Sequence, residues 1–221
     1  MKNQKRYQEN LRKNLAISGE TETFFAEYQA QKLAQWFAKD LDKELSILDF
    51  GCGDGLMTSF VQHIFTNAAI TGIDTDAQRT ALAQDMHEEI HFICADIETA
   101  PFAPASFDLI YSAEVFHHLP LEQQEQYIAL LMHLLKPGGT LIIFELNPLN
   151  LVTVYRFKKN PHEHNAQLIM PWRLRRLLAP YGSTKIRFYD FCLRILEPYL
   201  TWLPFGGLYA VSVIKKNTGR F

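Results

Sequence analysis

The sequence predicts an α/β fold: a doubly wound sheet of five parallel strands and an antiparallel closing pair, with helices on both faces. Three observations predict it. Short apolar runs alternate with helix-like segments through residues 46–144. A glycine cluster follows the first run, where such folds turn from strand to helix. Two further β-like runs close the chain around a connection holding Pro198, Pro204, Gly206 and Gly207.

The elements follow in order. Ser46–Phe50 is a short apolar run ending in glycines and reads as the first strand. Leu56–Phe65 reads as a helix, Ala69–Ile73 as strand two, Ala77–Met86 as a helix and His91–Cys94 as strand three. Phe107–Tyr111 is strand four, and Leu121–Leu135 places Ile128, Leu131 and Leu135 at helical spacing. Lys136-Pro137-Gly138-Gly139 is turn chemistry suited to a chain reversal before strand five, Thr140–Phe144. Residues 1–45 read as a helical lid ahead of the sheet. Leu146–Pro171 lacks periodicity and reads as an inserted loop or small lid. After a helix over Trp172–Leu178, the closing strands are Thr184–Phe191 and Leu208–Ile214. Parallel strands with right-handed crossovers place their carboxyl ends on one edge, where ligands bind.

Composition sets limits. With 221 residues, 48% hydrophobic and 21% charged, the chain suits one globular domain over residues 1–221. A net charge of −2 argues against a dedicated nucleic-acid binder, although Arg173, Arg175 and Arg176, and Lys215 with Lys216, form local basic clusters. Cys52, Cys94 and Cys192 are too few and too scattered for a disulfide framework or a zinc site, so reduced thiols, a cytoplasmic location and no metal are expected. Met1–Asn10 has no apolar signal core, and no run reaches the ~18 apolar residues of a membrane span. Peripheral membrane contact stays open.

The strongest chemical signal is Asp49-Phe50-Gly51-Cys52-Gly53-Asp54-Gly55. Glycines there let a ligand approach the main chain without a Cβ in the way. The dinucleotide spacing fails, because Leu56 and Thr58 stand where its third glycine would fall, and no Gly-Lys-Ser/Thr tripeptide exists for a phosphate loop. Asp49 at the mouth would repel a phosphate and suits an ammonium or sulfonium. Asp74 at the end of strand two and Asp96 after strand three add carboxylates on the same edge, and Asp74 can accept from two ribose hydroxyls. The pattern describes a site for a nucleoside carrying positive charge.

This ordered set resembles the class I S-adenosylmethionine-dependent methyltransferases. It comprises the Asp-x-Gly-Cys-Gly-x-Gly loop, Asp74, Ala95-Asp96, Phe107-Asp108-Leu109-Ile110 and Leu135-Lys136-Pro137-Gly138-Gly139. The resemblance covers about residues 45–145 and implies a seven-stranded, mostly parallel sheet with an antiparallel last strand. It implies a donor-binding half over 46–145, with S-adenosyl-L-methionine as cofactor and S-adenosyl-L-homocysteine (SAH) as product. Asp74, with Thr75 beside it, would hold the ribose, and Asp96 with Ile97 the adenine. Gly51, Cys52 and Gly53 would run along the methionine part. Asp49, with Ser112 and Ala113, would sit at its ammonium.

Methyl transfer from a sulfonium mainly needs alignment, with a base where the acceptor must lose a proton. His117 and His118 after strand four are candidate bases, and Glu145 after strand five could orient or deprotonate an acceptor. Glu114 ranks behind them. Asn147-Pro148 reads as a turn. Tyr28, in a run of aromatics, reads as core packing rather than a donor contact. The large apolar residues between Phe188 and Phe205 read mostly as core, with an apolar acceptor pocket as the alternative. A small-molecule acceptor is therefore expected, against three rivals: a nucleic-acid methyltransferase, a non-catalytic donor-binding protein and a dehydrogenase.

Overall fold

The computed structural model describes residues 22–190 and 197–216. Seven strands form one sheet: β1 (Ser46–Phe50), β2 (Ala69–Asp74), β3 (His91–Cys94), β4 (Phe107–Ala113), β5 (Leu135–Leu146), β6 (Gly182–Tyr189) and β7 (Leu208–Lys215). Their order is β3-β2-β1-β4-β5-β7-β6. β1 to β5 pair in parallel, and β7 runs antiparallel between β5 and β6. The predicted topology holds. Phe191, Cys192, Leu193, Ile195, Leu196 and the polar start Met1–Asn10 lie outside the described residues.

The helices are α1 (Glu22–Trp36), α2 (Leu56–Ile64), α3 (Ala77–Met86), α4 (Gln124–Leu134), α5 (Leu151–Lys159), α6 (Pro171–Leu178) and the short α7 (Glu197–Leu200). Strand alternation divides their partners. Leu48, Ile110 and Ile143 point into a core shared with Ile128 and Leu131 of α4 and Leu174 and Leu178 of α6. Their neighbours Ile47, Leu109 and Ile142 point into the opposite core, with Ala30 and Leu33 of α1 and Val61 of α2. All of these are fully buried, each larger side chain contributing about 1.5–3 kcal/mol. Burial on both faces explains why the strands read as continuous apolar runs.

Two expectations need correction. Lys136–Gly139 does not reverse the chain between elements. Phe107 pairs with Leu135 and Leu109 with Thr140, so these residues loop out inside β5, with Gly138 at φ +79°. Leu146–Pro171 is not an irregular loop either: it holds α5. Asn150 caps that helix, its Oδ1 accepting from the Thr153 amide at 3.0 Å. The helix escapes periodicity because Val152, Thr153, Val154, Tyr155 and Phe157 are poor helix formers and Leu151, Val152 and Tyr155 are exposed.

Asn147-Pro148 is a turn, as expected, and it is also an anchor. Asn147 is fully buried. Its Oδ1 accepts from the Leu149 amide at 3.1 Å, while Nδ2 donates to the carbonyls of Pro204 (3.1 Å) and Gly206 (2.7 Å). The chain leaving β5 is thereby tied to the chain entering β7. Asn147→Ala strands these buried groups and is expected to lower stability by about 2–3 kcal/mol. Urea unfolding should show a lower midpoint at unchanged m-value; a loss below about 0.5 kcal/mol would mean that the anchor carries no weight.

Candidate functional site

The carboxyl ends of the parallel strands border a cavity of about 840 Å³. Its floor is the loop after β1. The Gly51 and Cys52 amides both donate to the Ile73 carbonyl, at 2.8 and 3.1 Å, and the Gly53 amide donates to Asp74 Oδ2 at 2.9 Å. Gly51 sits at φ +80°, and a Cβ there would collide with Val115. Asp74 Oδ1 accepts from the Asp76 amide at 2.9 Å. Each carboxylate oxygen retains a second lone pair for a ligand.

Asp49 lies beneath the loop, 2% exposed, with Thr58 Oγ1 (2.7 Å) and the Tyr111 hydroxyl (2.8 Å) donating to its Oδ2. Burial pushes its carboxyl up to about 7, against the pull of those two hydrogen bonds. Asp49 nevertheless lines the cavity, as do Gly51, Cys52, Asp74 and Thr75. Asp96, Ile97 and Ala113 line it too. Asp96 Oδ2 accepts from the Tyr127 hydroxyl at 2.8 Å, and the Tyr127 ring lies 5.9 Å from that of Phe50. Two aromatic rings thus flank this end of the cavity.

Three candidates do not line the cavity: Ser112, Gly53 and the fully buried Glu145. Ser112 is fully buried and does not line the cavity, because β4 runs on to Ala113 and strand alternation turns Ser112 away from its edge. Gly53 is covered rather than open: a Cβ at this residue, with φ +55°, would collide with the Arg79 guanidinium. Its constraint is backbone conformation and the passage of Arg79.

The far side of the cavity is built on the turn after β4. The His117 imidazole, 2% exposed, sits between two carboxylates. Nδ1 lies 2.6 Å from Glu145 Oε2, and Nε2 lies 3.2 Å from Glu163 Oε2. Glu145 is fully buried and also accepts from the His117 amide at 3.3 Å. Burial opposes charge on His117, but Glu145 and Glu163 outweigh it and push the imidazole up to about 10. The half-exposed His118, its ring 4.2 Å from that of His117, is held below the ordinary histidine range by burial and by its charged neighbour. Glu114 adopts φ 58°, a left-handed conformation uncommon for its residue type, and accepts from Gln29 Nε2 at 2.8 Å. Such strain gathers at sites that bind or react.

Several lining residues left no local signal in the sequence. Tyr127, Arg79 and Glu163 come from separate elements, and Phe25, Ala26 and Gln29 of α1 close the cavity from above. Tyr28 is not among them. It is buried in the core, its hydroxyl bonded to Glu197 and accepting from the Asp190 amide at 2.8 Å. Arg173 is drawn away to Gln124 and the Leu121 carbonyl, and no member of the Arg173, Arg175 and Arg176 cluster lines the cavity.

Residues 47–139 match the family model described as "Methyltransferase domain". The chain is 32% identical over 108 residues to a phthiotriol/phenolphthiotriol dimycocerosates methyltransferase of Mycobacterium leprae, covering 48% of this chain and 39% of the relative. It is 31% identical over 156 residues to the mitochondrial ubiquinone biosynthesis O-methyltransferase of Rattus norvegicus, covering 62% and 44%. The chain thus spans less than half the length of these curated relatives. Among solved structures, the plantazolicin methyltransferase in complex with SAH aligns with a TM-score of 0.66 at 20% identity, covering 93% of this chain and 90% of the other.

Asp49 makes stability depend on pH in a definite direction. Its folded pKa lies above the ordinary 3.8, so between pH 3.8 and about 7 the folded chain holds a proton that the unfolded chain has released. Its contribution therefore falls as pH rises through that window, by up to roughly 4 kcal/mol, and is level above it. Denaturant unfolding of the wild type and Asp49→Asn from pH 4 to 8 is expected to show the wild type losing ground to the variant across that range. Parallel curves would contradict the buried, proton-holding Asp49.

Proposed function

We propose that the chain, whose residues 47–139 match the methyltransferase-domain family model, is a class I methyltransferase that transfers the methyl group of S-adenosyl-L-methionine to a small, apolar or lipid-like acceptor, releasing SAH. The observation that carries this reading is the hydrogen-bonded unit of glycine loop and Asp74 at the sheet edge. It offers carboxylates and a tightly turned backbone whose amides are already bonded, with no pattern for gripping a phosphate.

In this reading Asp74 holds the ribose hydroxyls and Thr75 lies beside it. Asp96 and Ile97 flank the adenine, with Tyr127 and Phe50 supplying aromatic walls. Gly51, Cys52 and Ala113 border the methionine part, and Asp49 faces its ammonium, which favours the ionised carboxylate. The solved relative bound to SAH supports this choice of cofactor. The sulfonium methyl then faces the turn after β4. There the acceptor's nucleophilic atom bonds to the methyl carbon as the carbon–sulfur bond breaks, and the sulfur leaves as a neutral thioether. His118, half-exposed and held below the ordinary histidine range, receives the acceptor's proton where it has one to lose; His117, held protonated between Glu145 and Glu163, keeps the acceptor in line, and Glu145 acts through it as a positioning residue.

The acceptor class rests on the cavity's rim. The first turn of α5 docks on the segment before β7, with Asn150 Nδ2 donating to the Phe205 carbonyl at 2.8 Å and Thr153 Oγ1 to that of Gly207 at 3.1 Å. This brings together Leu151 (84% exposed), Val152, Tyr155 and Phe205 (65%), and Tyr155 also lines the cavity. An exposed apolar group of this kind suits an apolar ligand or a lipid surface. The names of the relatives, for phthiotriol dimycocerosates and for ubiquinone biosynthesis, point the same way. No helix among the described residues is long and apolar enough to cross a membrane, so lipid contact through this rim would be peripheral.

Asp74→Ala is expected to weaken donor binding at least tenfold by calorimetry, since one charge-assisted hydrogen bond is worth roughly 1.5–3 kcal/mol. Unchanged affinity would remove Asp74 from the donor site. A screen with methyl-labelled donor against quinone, lipid, amine and nucleic-acid pools should label the apolar pools. Leu151→Glu should then raise the KM for the labelled acceptor several-fold while leaving donor affinity unchanged. Label confined to nucleic acid would contradict the proposed acceptor class.

A further inference from the structure

The His117–Glu145 pair has the form of a metal ligand with its supporting carboxylate. A neutral imidazole that donates Nδ1–H to a buried carboxylate turns the lone pair of Nε2 the other way. Here Nδ1 is 2.6 Å from Glu145 Oε2, and the buried Nε2 faces Glu163 Oε2 at 3.2 Å. His118 Nε2 approaches that same oxygen at 3.8 Å. The ligand atoms of His117, His118 and Glu163 all fall within 4.8 Å of one another. Donors at about 2.0–2.2 Å from a tetrahedral zinc stand roughly 3.2–3.6 Å apart, so little movement separates this arrangement from a coordination sphere.

Charge gives the same answer. Glu145 and Glu163 face one imidazole in a buried setting, which calls for a positive charge among them. A proton on Nε2 supplies one charge but leaves His118 crowded against a cation. A divalent ion in its place would balance both carboxylates and use both histidines.

We propose that His117, His118 and Glu163 bind one divalent transition-metal ion, with zinc the best match to a two-histidine, one-carboxylate set, and that Glu145 orients His117 for it. Three protein ligands leave a fourth position free, which is the pattern of zinc sites that engage a substrate or water. All three ligands line the cavity, so that position faces the space assigned to the acceptor. The ion would hold an oxygen-bearing acceptor, such as a hydroxyl or phenol, beside the methyl group and lower its pKa. This last role rests on the methyl-transfer reading; the metal site itself does not.

The test uses the full chain without a histidine tag, stripped with a chelator and titrated with Zn²⁺ and Co²⁺, while SAH binding is measured on the same samples. One ion per chain is expected, at a Kd of about 1 µM or tighter, with the visible bands of four-coordinate cobalt and no competition from Mg²⁺. Glu163→Gln and His118→Gln should weaken the ion at least 100-fold, and Glu145→Gln by about 10–100-fold, all with SAH affinity retained. Absence of one-to-one binding in the wild type would overturn the site and leave a proton-bridged ion pair. So would unweakened binding in Glu163→Gln and His118→Gln, or loss of SAH binding along with the metal in every variant, which would make the cluster a structural support. Zinc binding without SAH binding would overturn the methyl-transfer reading and leave the metal site standing.

Discussion

The loop after β1 hangs from the end of β2, and the rest of the site depends on that attachment. Three consecutive amides, those of Gly51, Cys52 and Gly53, spend their hydrogens on the Ile73 carbonyl and the Asp74 carboxylate. A loop left to itself at a sheet edge would carry unpaired donors and pay conformational entropy for any one shape. Bonded this way, it brings Gly51 and Cys52 to the cavity wall and fixes the Asp74 carboxylate beside them. Glycine is required because Gly51 lies at positive φ against Val115. Loop and acid therefore form one unit, and the register of β1 against β2, with Phe50 opposite Ile73, sets its height.

Burial divides the cavity into two electrostatic halves. Asp49 sits under the loop in a setting that raises its carboxyl to about 7 and so favours a cation beside it. Across the cavity, Glu145 and Glu163 enclose His117 and demand a cation of their own. Both halves thus favour positive charge: on the proposed reading, an ammonium and sulfonium on one side and a proton or metal on the other. In the proposed reaction the methyl group passes between them. On that reading, the apolar rim on α5 selects what approaches it.

Legibility in the sequence followed the range of the interaction. The glycine loop, Asp49, Asp74 and Asp96 were legible because each lies within a few residues of a strand end, and parallel topology brings strand ends together. The convergence of His117 and Glu145 followed from the same logic, since β4 and β5 are neighbours. Ser112 was misplaced because β4 runs further than its apolar run suggests, so alternation turns the side chain into the core. Gly53 was read as open to ligand, whereas Arg79, a full helix start away, lies across it. Helix α5 was hidden by its β-branched and aromatic residues, and with it the position of Glu163, which follows α5 on a short helical turn. No local spacing could join Glu163 to the two histidines; only the fold does.

A crystal structure of the full chain with SAH tests the central claim most directly. The ribose hydroxyls are expected on Asp74, the adenine beside Asp96 and Ile97 at the Tyr127 end of the cavity, and the sulfur directed at His117 and His118. SAH bound away from the glycine loop, or with its ribose clear of Asp74, would contradict it.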